Sequence, residues 1–277
     1  MIETDFLRCP ICFSELKKEG MSLICQNPVS LKHHCFDISS SGYVDLSYRN
    51  GGGGDPKDAV SDRTQFLDKG YYETLSKKIN EICAEFLHDD ALLIDAGCGE
   101  GYYSERIASA FPGAFVFGAD LSKHAVHRAS VRRNSRGGTN SFYSVSSIFQ
   151  LPVADHSADC LLSMFAPVAG EEIDRVLKPG GILVVGAAGE RHLYELKEAI
   201  YESVNLNEER ADLPRNMQFI NKLNVSYYIQ IDNKDDIKRL FGMTPYRFRT
   251  SEYSHNLLNQ LASLKVEVNV DFYIYKK

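Results

Sequence analysis

Asp95-Ala96-Gly97-Cys98-Gly99-Glu100-Gly101 follows directly on the apolar run Ala91-Leu92-Leu93-Ile94 and opens onto a helical pattern from Tyr102 to Phe111. A short, continuously apolar run suits a central parallel strand, buried on both faces. Glycines at alternate positions let the backbone turn tightly and approach a ligand where a Cβ would clash. The helix N-terminus behind them favours a carboxylate or phosphate. A glycine loop alone is more often a simple turn. Here it sits between strand and helix, Asp95 ends the strand, and a second acid, Asp120, ends the next one in Phe117-Gly118-Ala119-Asp120-Leu121. A carboxylate at that place suits the two hydroxyls of a ribose.

Outward from this loop the pattern repeats. Ala114 to Gly118 reads as a second strand and Ser122 to Asn134 as a second helix, with further strands at Ser141–Val145, Cys160–Met164 and Ile182–Val185. A helix ends at Leu177, which Pro179 cannot continue and Gly180-Gly181 terminates. The alternation predicts a doubly wound α/β sheet, parallel and open, with helices on both faces. Helices are expected near 190–203 and 233–241, and the alternating stretch Val266 to Tyr275 reads as an edge strand. Upstream, Leu67, Tyr71, Leu75, Ile79, Ile82 and Phe86 recur at helical spacing over residues 66–86. Before them, Arg49-Asn50-Gly51-Gly52-Gly53-Gly54-Asp55-Pro56 would lose much backbone entropy on ordering. The chain thus divides into a Cys/His-rich module at 1–46, a Gly-rich mobile linker at 47–65 and the main domain at 66–277.

At 277 residues, 44% hydrophobic and 25% charged, the composition is that of a globular protein with a full core. No stretch approaches the roughly 20 apolar residues of a membrane helix. The start MIETDFLRCP lacks the regions of a signal peptide, so a cytoplasmic protein with no membrane partner is expected. A net charge of −6 argues mildly against a nucleic-acid partner but leaves local patches open. In a reducing compartment seven cysteines do not suggest a disulfide framework, yet Cys9, Cys12, Cys25 and Cys35 cluster at the N-terminus. Cys9-Pro10-Ile11-Cys12 is a C-x2-C knuckle, followed by Cys25 and then His33-His34-Cys35. Zinc takes four such ligands in a tetrahedron, and a module this small needs a staple. Three ligands are clear, and the fourth lies among His33, His34 and Cys35.

A nicotinamide fingerprint would need its third glycine at position 102, which is Tyr102. D-x-G-x-G-x-G instead resembles motif I of class I methyltransferases, with Leu151-Pro152-Val153 and Leu177-Lys178-Pro179-Gly180-Gly181 where that superfamily has its LP and KPGG segments. The resemblance implies S-adenosylmethionine as cofactor and a Rossmann-like sheet. Further segments narrow it: His34-Cys35-Phe36-Asp37, Ser41-Gly42-Tyr43-Val44-Asp45-Leu46, Phe66-Leu67-Asp68-Lys69-Gly70-Tyr71-Tyr72, Gly97 to Tyr103, Ala166-Pro167 and Arg191-His192-Leu193-Tyr194-Glu195-Leu196-Lys197. With the knuckle, these resemble the bacterial 23S rRNA guanine-N1 methyltransferases, a family that includes macrolide-resistance relatives such as those for tylosin, over nearly the whole chain.

That resemblance implies zinc ligands at Cys9, Cys12, Cys25 and His34. It implies cofactor contacts at Tyr72, Gly99, Glu100 and His192, beside Asp95, Gly97, Gly101 and Asp120 of the glycine loop and second strand. It also implies methylation of a guanine N1 in a domain II hairpin loop of 23S rRNA, recognition of RNA by the N-terminal module, and a homodimer. Eight residues separate Cys25 from His34, more than the family's second knuckle usually has, so Cys35 stays a rival for the fourth position.

Guanine N1 carries a proton that must leave, and no residue announces itself as the base. Asp155 and His156 read better as a solvated loop, and Ala166-Pro167 as the lining of an acceptor pocket. Lys123, Arg128, Arg132, Arg133 and Arg136, with His124 and His127 and no acid, form a basic run suited to phosphate contacts or to plain solvation. A small-molecule methyltransferase of the quinone or antibiotic type would share the core, but needs neither the module nor the basic helix. A non-catalytic RNA-binding protein would not need the intact glycine loop and Asp120.

Overall fold

The computed structural model describes all residues except 1–3, 28–32, 48–52, 210–213, 215 and 249–250, and the side chains of 253–255. Arg49 to Gly52 of the expected linker therefore lie outside the described residues. The N-terminal module holds β1 (Leu16–Glu19), β2 (Ser22–Cys25) and β3 (Cys35–Asp37), paired antiparallel in that order. Then β4 (Tyr43–Asp45) leaves this sheet and pairs in parallel with a strand of the large one.

The rest of the chain runs α1 (Lys57–Leu67), α2 (Glu73–Ala84), β5 (Leu92–Ala96), α3 (Tyr102–Ala110), β6 (Phe115–Asp120), α4 (Lys123–Ser135), β7 (Ser141–Val145), β8 (Ala158–Met164), α5 (Gly170–Val176), β9 (Leu177–Ala188), α6 (Tyr194–Ile200), β10 (Gln218–Ile231), α7 (Lys234–Gly242), α8 (Glu252–Gln260) and β11 (Leu264–Lys276). The large sheet has the order β10-β11-β9-β8-β5-β6-β7-β4. Strands β4 to β9 pair in parallel, and β11 and β10 are added antiparallel. All five residues of β5 are buried, as its sequence requires. The chain winds from β5 out through β6 and β7, then returns to place β8 on the other side of β5. The order therefore reverses beside β5, and in open sheets the crevice at the carboxyl ends of the strands at such a reversal is where ligands bind.

Several expectations give way. The helical spacing over 66–86 belongs to two helices: α1 ends at Leu67, and a turn through Gly70 (φ 86) precedes α2. Residues 57–65, assigned to the linker, are most of α1, whose Ala59, Val60, Phe66 and Leu67 are buried. Four glycines hid a helix that starts directly after Pro56, a residue suited to helix starts. Val266 to Tyr275 is no edge strand, since β11 lies between β9 and β10, and the edge falls to β10 with its largely exposed alternation. The N-terminal module is also joined more closely than a separate unit at 1–46 would be. Leu7 bridges Val153, Arg8 N–H donates to Pro152 O (2.9 Å), and Phe6 packs edge-on against Phe117 (5.3 Å). No helix among the described residues is long and apolar enough to cross a membrane.

Candidate active site and metal centre

The carboxyl ends of β5, β6 and β8 border a cleft of about 870 Å³. Seven of the predicted cofactor residues line it: Tyr72, Asp95, Gly97, Gly99, Glu100, Asp120 and His192. The loop can reach the strand ends because of its glycines. A Cβ on Gly97 (φ 86) would come within 2.6 Å of Ala166 Cβ, so the loop touches the segment after β8. Gly101 stands apart from the cleft. It takes φ 72 at the start of α3, and a Cβ there would meet Ala129 Cβ of α4 at 2.9 Å. Its place in the structure is a packing one, closing the α3–α4 crossing behind the loop.

The cleft's polar groups are partly satisfied and partly waiting. Asp120 accepts from Gly99 N–H (3.0 Å) and Ser122 N–H (2.7 Å), which fixes its carboxylate across the mouth of the loop. Burial raises its pKa despite those donors. Asp95 accepts from Ser104 through Oδ2, whereas its buried Oδ1 finds no partner among the described residues. Burial, with Asp120 and Glu100 nearby, pushes Asp95 up to about 7. The buried hydroxyl of Tyr72 is likewise without a partner, and burial holds it neutral. His192 accepts the Asn269 N–H at Nδ1 (3.3 Å), which leaves the proton on Nε2. Burial depresses it to about 4, so the ring is a neutral donor at ordinary pH.

These features fit S-adenosylmethionine. The orphaned Asp95 oxygen suits its ammonium, the Tyr72 hydroxyl its carboxylate, and the Asp120 carboxylate, with lone pairs to spare, a ribose. Such donors and acceptors are rarely left unpaired when buried unless a ligand completes them.

In the N-terminal module, Sγ of Cys9, Cys12 and Cys25 and a ring nitrogen of His34 lie within 4.8 Å of one another. His34 Nδ1 is 3.4 Å from Cys9 Sγ and 3.6 Å from Cys12 Sγ, and Cys12 and Cys25 Sγ are 3.2 Å apart. Three sulfurs and one imidazole at this spacing are a tetrahedral zinc donor set. Cys35 is exposed and outside the group. His33 turns away, its Nδ1 2.6 Å from Cys25 O. The alternation along β3's entry separates the three rivals, sending only His34 inward.

A family profile described as a methyltransferase domain matches residues 87–242, and one described as RlmA, N-terminal, matches residues 7–47. The 23S rRNA (guanine(748)-N(1))-methyltransferase of Streptomyces fradiae is 33% identical over 199 residues, which cover 70% of this chain and 68% of the relative. The chain belongs to the 23S rRNA (guanine-N1)-methyltransferases. A Bacillus subtilis (strain 168) protein provisionally named for the same activity aligns over 100% of this chain and 99% of its own length at 25% identity. A Micromonospora griseorubida protein, also provisionally so named, is 32% identical over 70% of this chain and 69% of its own. The catalytic domain is a class I, S-adenosylmethionine-dependent methyltransferase fold, and the module in front is a zinc ribbon.

Within this family fold, two arginines at the site carry roles that the sequence concealed. Arg63 of α1 lies over the glycine loop, donating from Nε to Glu100 Oε2 (2.6 Å) and pairing also with Asp55. It sat in a presumed linker, so nothing pointed to it. Arg132 of the basic run pairs with Asp68 (2.5 Å) and donates to Glu100 O (3.2 Å), with its side chain only 10% exposed. Arg132 therefore ties α4 to the loop and is no free phosphate ligand, and Arg133 is also half-buried. The exposed part of the run is Lys123, His124, His127, Arg128 and Arg136. Asp155 pairs with Arg175 (2.6 Å), and neither it nor His156 lines the cleft. The loop reading of that pair fits this placement.

Proposed function

We propose that this protein transfers the methyl group of S-adenosylmethionine to N1 of a guanine in a domain II hairpin loop of 23S rRNA. The observation that carries the reading is the joining, in one chain, of a donor cleft with unpaired buried groups to a zinc ribbon of the rRNA-methylating family. Tyr72, Asp95, Gly97, Gly99, Glu100, Asp120 and His192 hold the donor. Cys9, Cys12, Cys25 and His34 hold one zinc. Residues 1–46 act as the RNA-recognition part, and the chain works in the cytoplasm as a homodimer. A loop guanine is the sensible acceptor because N1 lies on the Watson–Crick edge and is blocked in a paired helix, whereas flipping out an unpaired base costs only a few kcal/mol.

Methyl transfer from a sulfonium is an in-line displacement, so the protein's chief task is alignment, which can contribute about 7–11 kcal/mol. The residues after β8 border the donor loop and would present the acceptor. Incubating the protein with labelled donor and protein-free 23S rRNA, followed by nucleoside analysis, tests the assignment. Label is expected in N1-methylguanosine. Label in N7-methylguanosine, in a ribose methyl or only in a small metabolite would refute it. Light scattering at micromolar concentration should return twice the chain mass, and a single-chain mass would remove the dimer.

A further inference from the structure

Phe165 follows β8 directly and takes φ 54, in the left-handed region that a bulky side chain enters only under constraint. The constraint is visible. Its N–H donates to Gly186 O (2.8 Å), which carries the β8–β9 pairing one residue past the strand. The ring gains no burial from this, since it stays 44% exposed in the cleft while Met164 before it is buried. Among the described residues its ring contact is His192, at 5.4 Å between centroids and 35° between planes. His192 is itself delivered by a left-handed residue, Leu193 (φ 54), whose N–H is tied to Glu267 O (2.8 Å). Among the described residues five non-glycine positions have positive φ; one is Phe165 itself and another, Leu193, adjoins its ring partner. Strain of this sort persists where the surroundings over-determine it, and it gathers at ligand sites.

The next residue, Ala166, is the one a Gly97 side chain would strike, so Phe165 stands beside the place where the donor's glycine loop meets the acceptor side. The ring sits beside a fixed imidazole, tilted 35° to it, and its exposed part opens on the cleft.

We propose that Phe165 is the stacking platform for the acceptor base, an unpaired purine of the RNA lying on the open face of the ring with its Watson–Crick edge turned to the donor methyl. Single-stranded bases are held on aromatic faces in this way. A ring whose backbone is already fixed by the Gly186 carbonyl loses little freedom when the base arrives. The proposal rests on the RNA acceptor reading above, and it assigns to Phe165 a positioning task that the donor-binding residues do not perform.

The test compares Phe165→Ala, Phe165→Leu and Phe165→Tyr with the parent protein, using labelled donor and protein-free 23S rRNA, with donor affinity measured separately by calorimetry. Phe165→Ala should lose roughly 5- to 150-fold in kcat/KM for RNA. Phe165→Leu should recover little of it and Phe165→Tyr most of it, and the donor Kd should stay within about twofold in all three. Unimpaired RNA methylation by Phe165→Leu would show that an aromatic face is not needed and overturn the proposal. A donor Kd weakened in step with the RNA loss would also overturn it, since the ring would then be holding the sulfonium. Failure of the parent protein to label RNA would overturn the acceptor reading itself and this proposal with it, an outcome distinct from full activity in the leucine variant.

Discussion

The zinc ribbon and the donor cleft both gather polar side chains on short loops, but one site is closed and the other open. In the ribbon, four ligand atoms lie within 4.8 Å of one another and look inward to a single point. In the cleft, Asp95 Oδ1 and the Tyr72 hydroxyl are buried with no partner among the described residues, while the scaffold beneath them, a fully buried β5 between β6 and β8, is complete. A closed site supplies part of the folding energy of its module. An open site draws on a fold that stands without it. Loss of one group should therefore unfold the first and merely weaken binding in the second.

The largest effect belongs to the ribbon. Its strands are four, four and three residues long, too little to fold alone, and structural zinc contributes on the order of 10 kcal/mol in small modules. Cys12→Ser should leave the protein without its equivalent of zinc by metal analysis and should abolish RNA methylation. Donor binding by calorimetry should survive, because the cleft's walls come from the large sheet. Burial raises the Cys9 thiol, so metal binding must also release protons. A full equivalent of zinc in Cys12→Ser would break the comparison at its closed end.

At the open end, Asp120→Ala should bind the donor about 10- to 150-fold more weakly, the value of a charge-assisted hydrogen bond, with its thermal midpoint little changed. An unchanged Kd would mean that the ribose lies elsewhere. A midpoint collapsing as in the ribbon variant would mean that the cleft is part of what holds the fold.

The same contrast explains what could be read in the sequence. The ribbon's ligands are soft residues at fixed spacing, and the glycine loop is a backbone necessity, so both leave a local pattern. Even there, the choice between His34 and Cys35 needed the fold, because only strand geometry says which neighbour faces inward. Arg63, Arg132 and Phe165 leave none. Each acts through a partner far along the chain, at Glu100, Asp68 or His192, and an arginine in a presumed linker or a phenylalanine after a strand looks like any other. Gly101 differs in the opposite way: it completes the pattern of alternate glycines, but what requires a glycine there is the close approach of Ala129. β11 misled because alternation reports one polar and one apolar face and says nothing of how many neighbours a strand has.

A subtler effect follows from Asp95. Its carboxyl is raised to about 7 by burial and by Asp120 and Glu100. The folded protein therefore holds this proton between about pH 4 and 7, where the unfolded chain has lost it, and the group lowers stability as pH rises through that window. The donor's ammonium would reverse the preference, since it is better held by the ionised form. Donor affinity should rise about fivefold from pH 6 to 7, a range in which the donor's α-amino group stays mostly protonated. Asp95→Asn should bind more weakly and lose that slope. A slope that persists in Asp95→Asn would point to another group, and His192, already neutral above about 4, would not supply it.

The smallest effect is expected on the outside of α4, where the comparison can be sharpened within one helix. Lys123 and Arg128 are exposed, whereas Arg132 is 10% exposed and bonded to the glycine loop and to Asp68. If the exposed residues meet RNA phosphates, each releases counterions on binding, and the slope of log K against log salt changes by about one unit per contact. Lys123→Ala with Arg128→Ala should then flatten the slope for 23S rRNA by about two units and leave the donor Kd unchanged. Arg132→Ala should do the reverse, weakening the donor several-fold and lowering the thermal midpoint, with little change in slope. The charge removed is alike in kind at all three positions, so net charge alone cannot produce opposite signatures. An unchanged slope in the double variant would reduce this face to solvated helix. A flattened slope in Arg132→Ala would mean that its pairing with Asp68 opens when RNA binds, and that the basic run works as one surface after all.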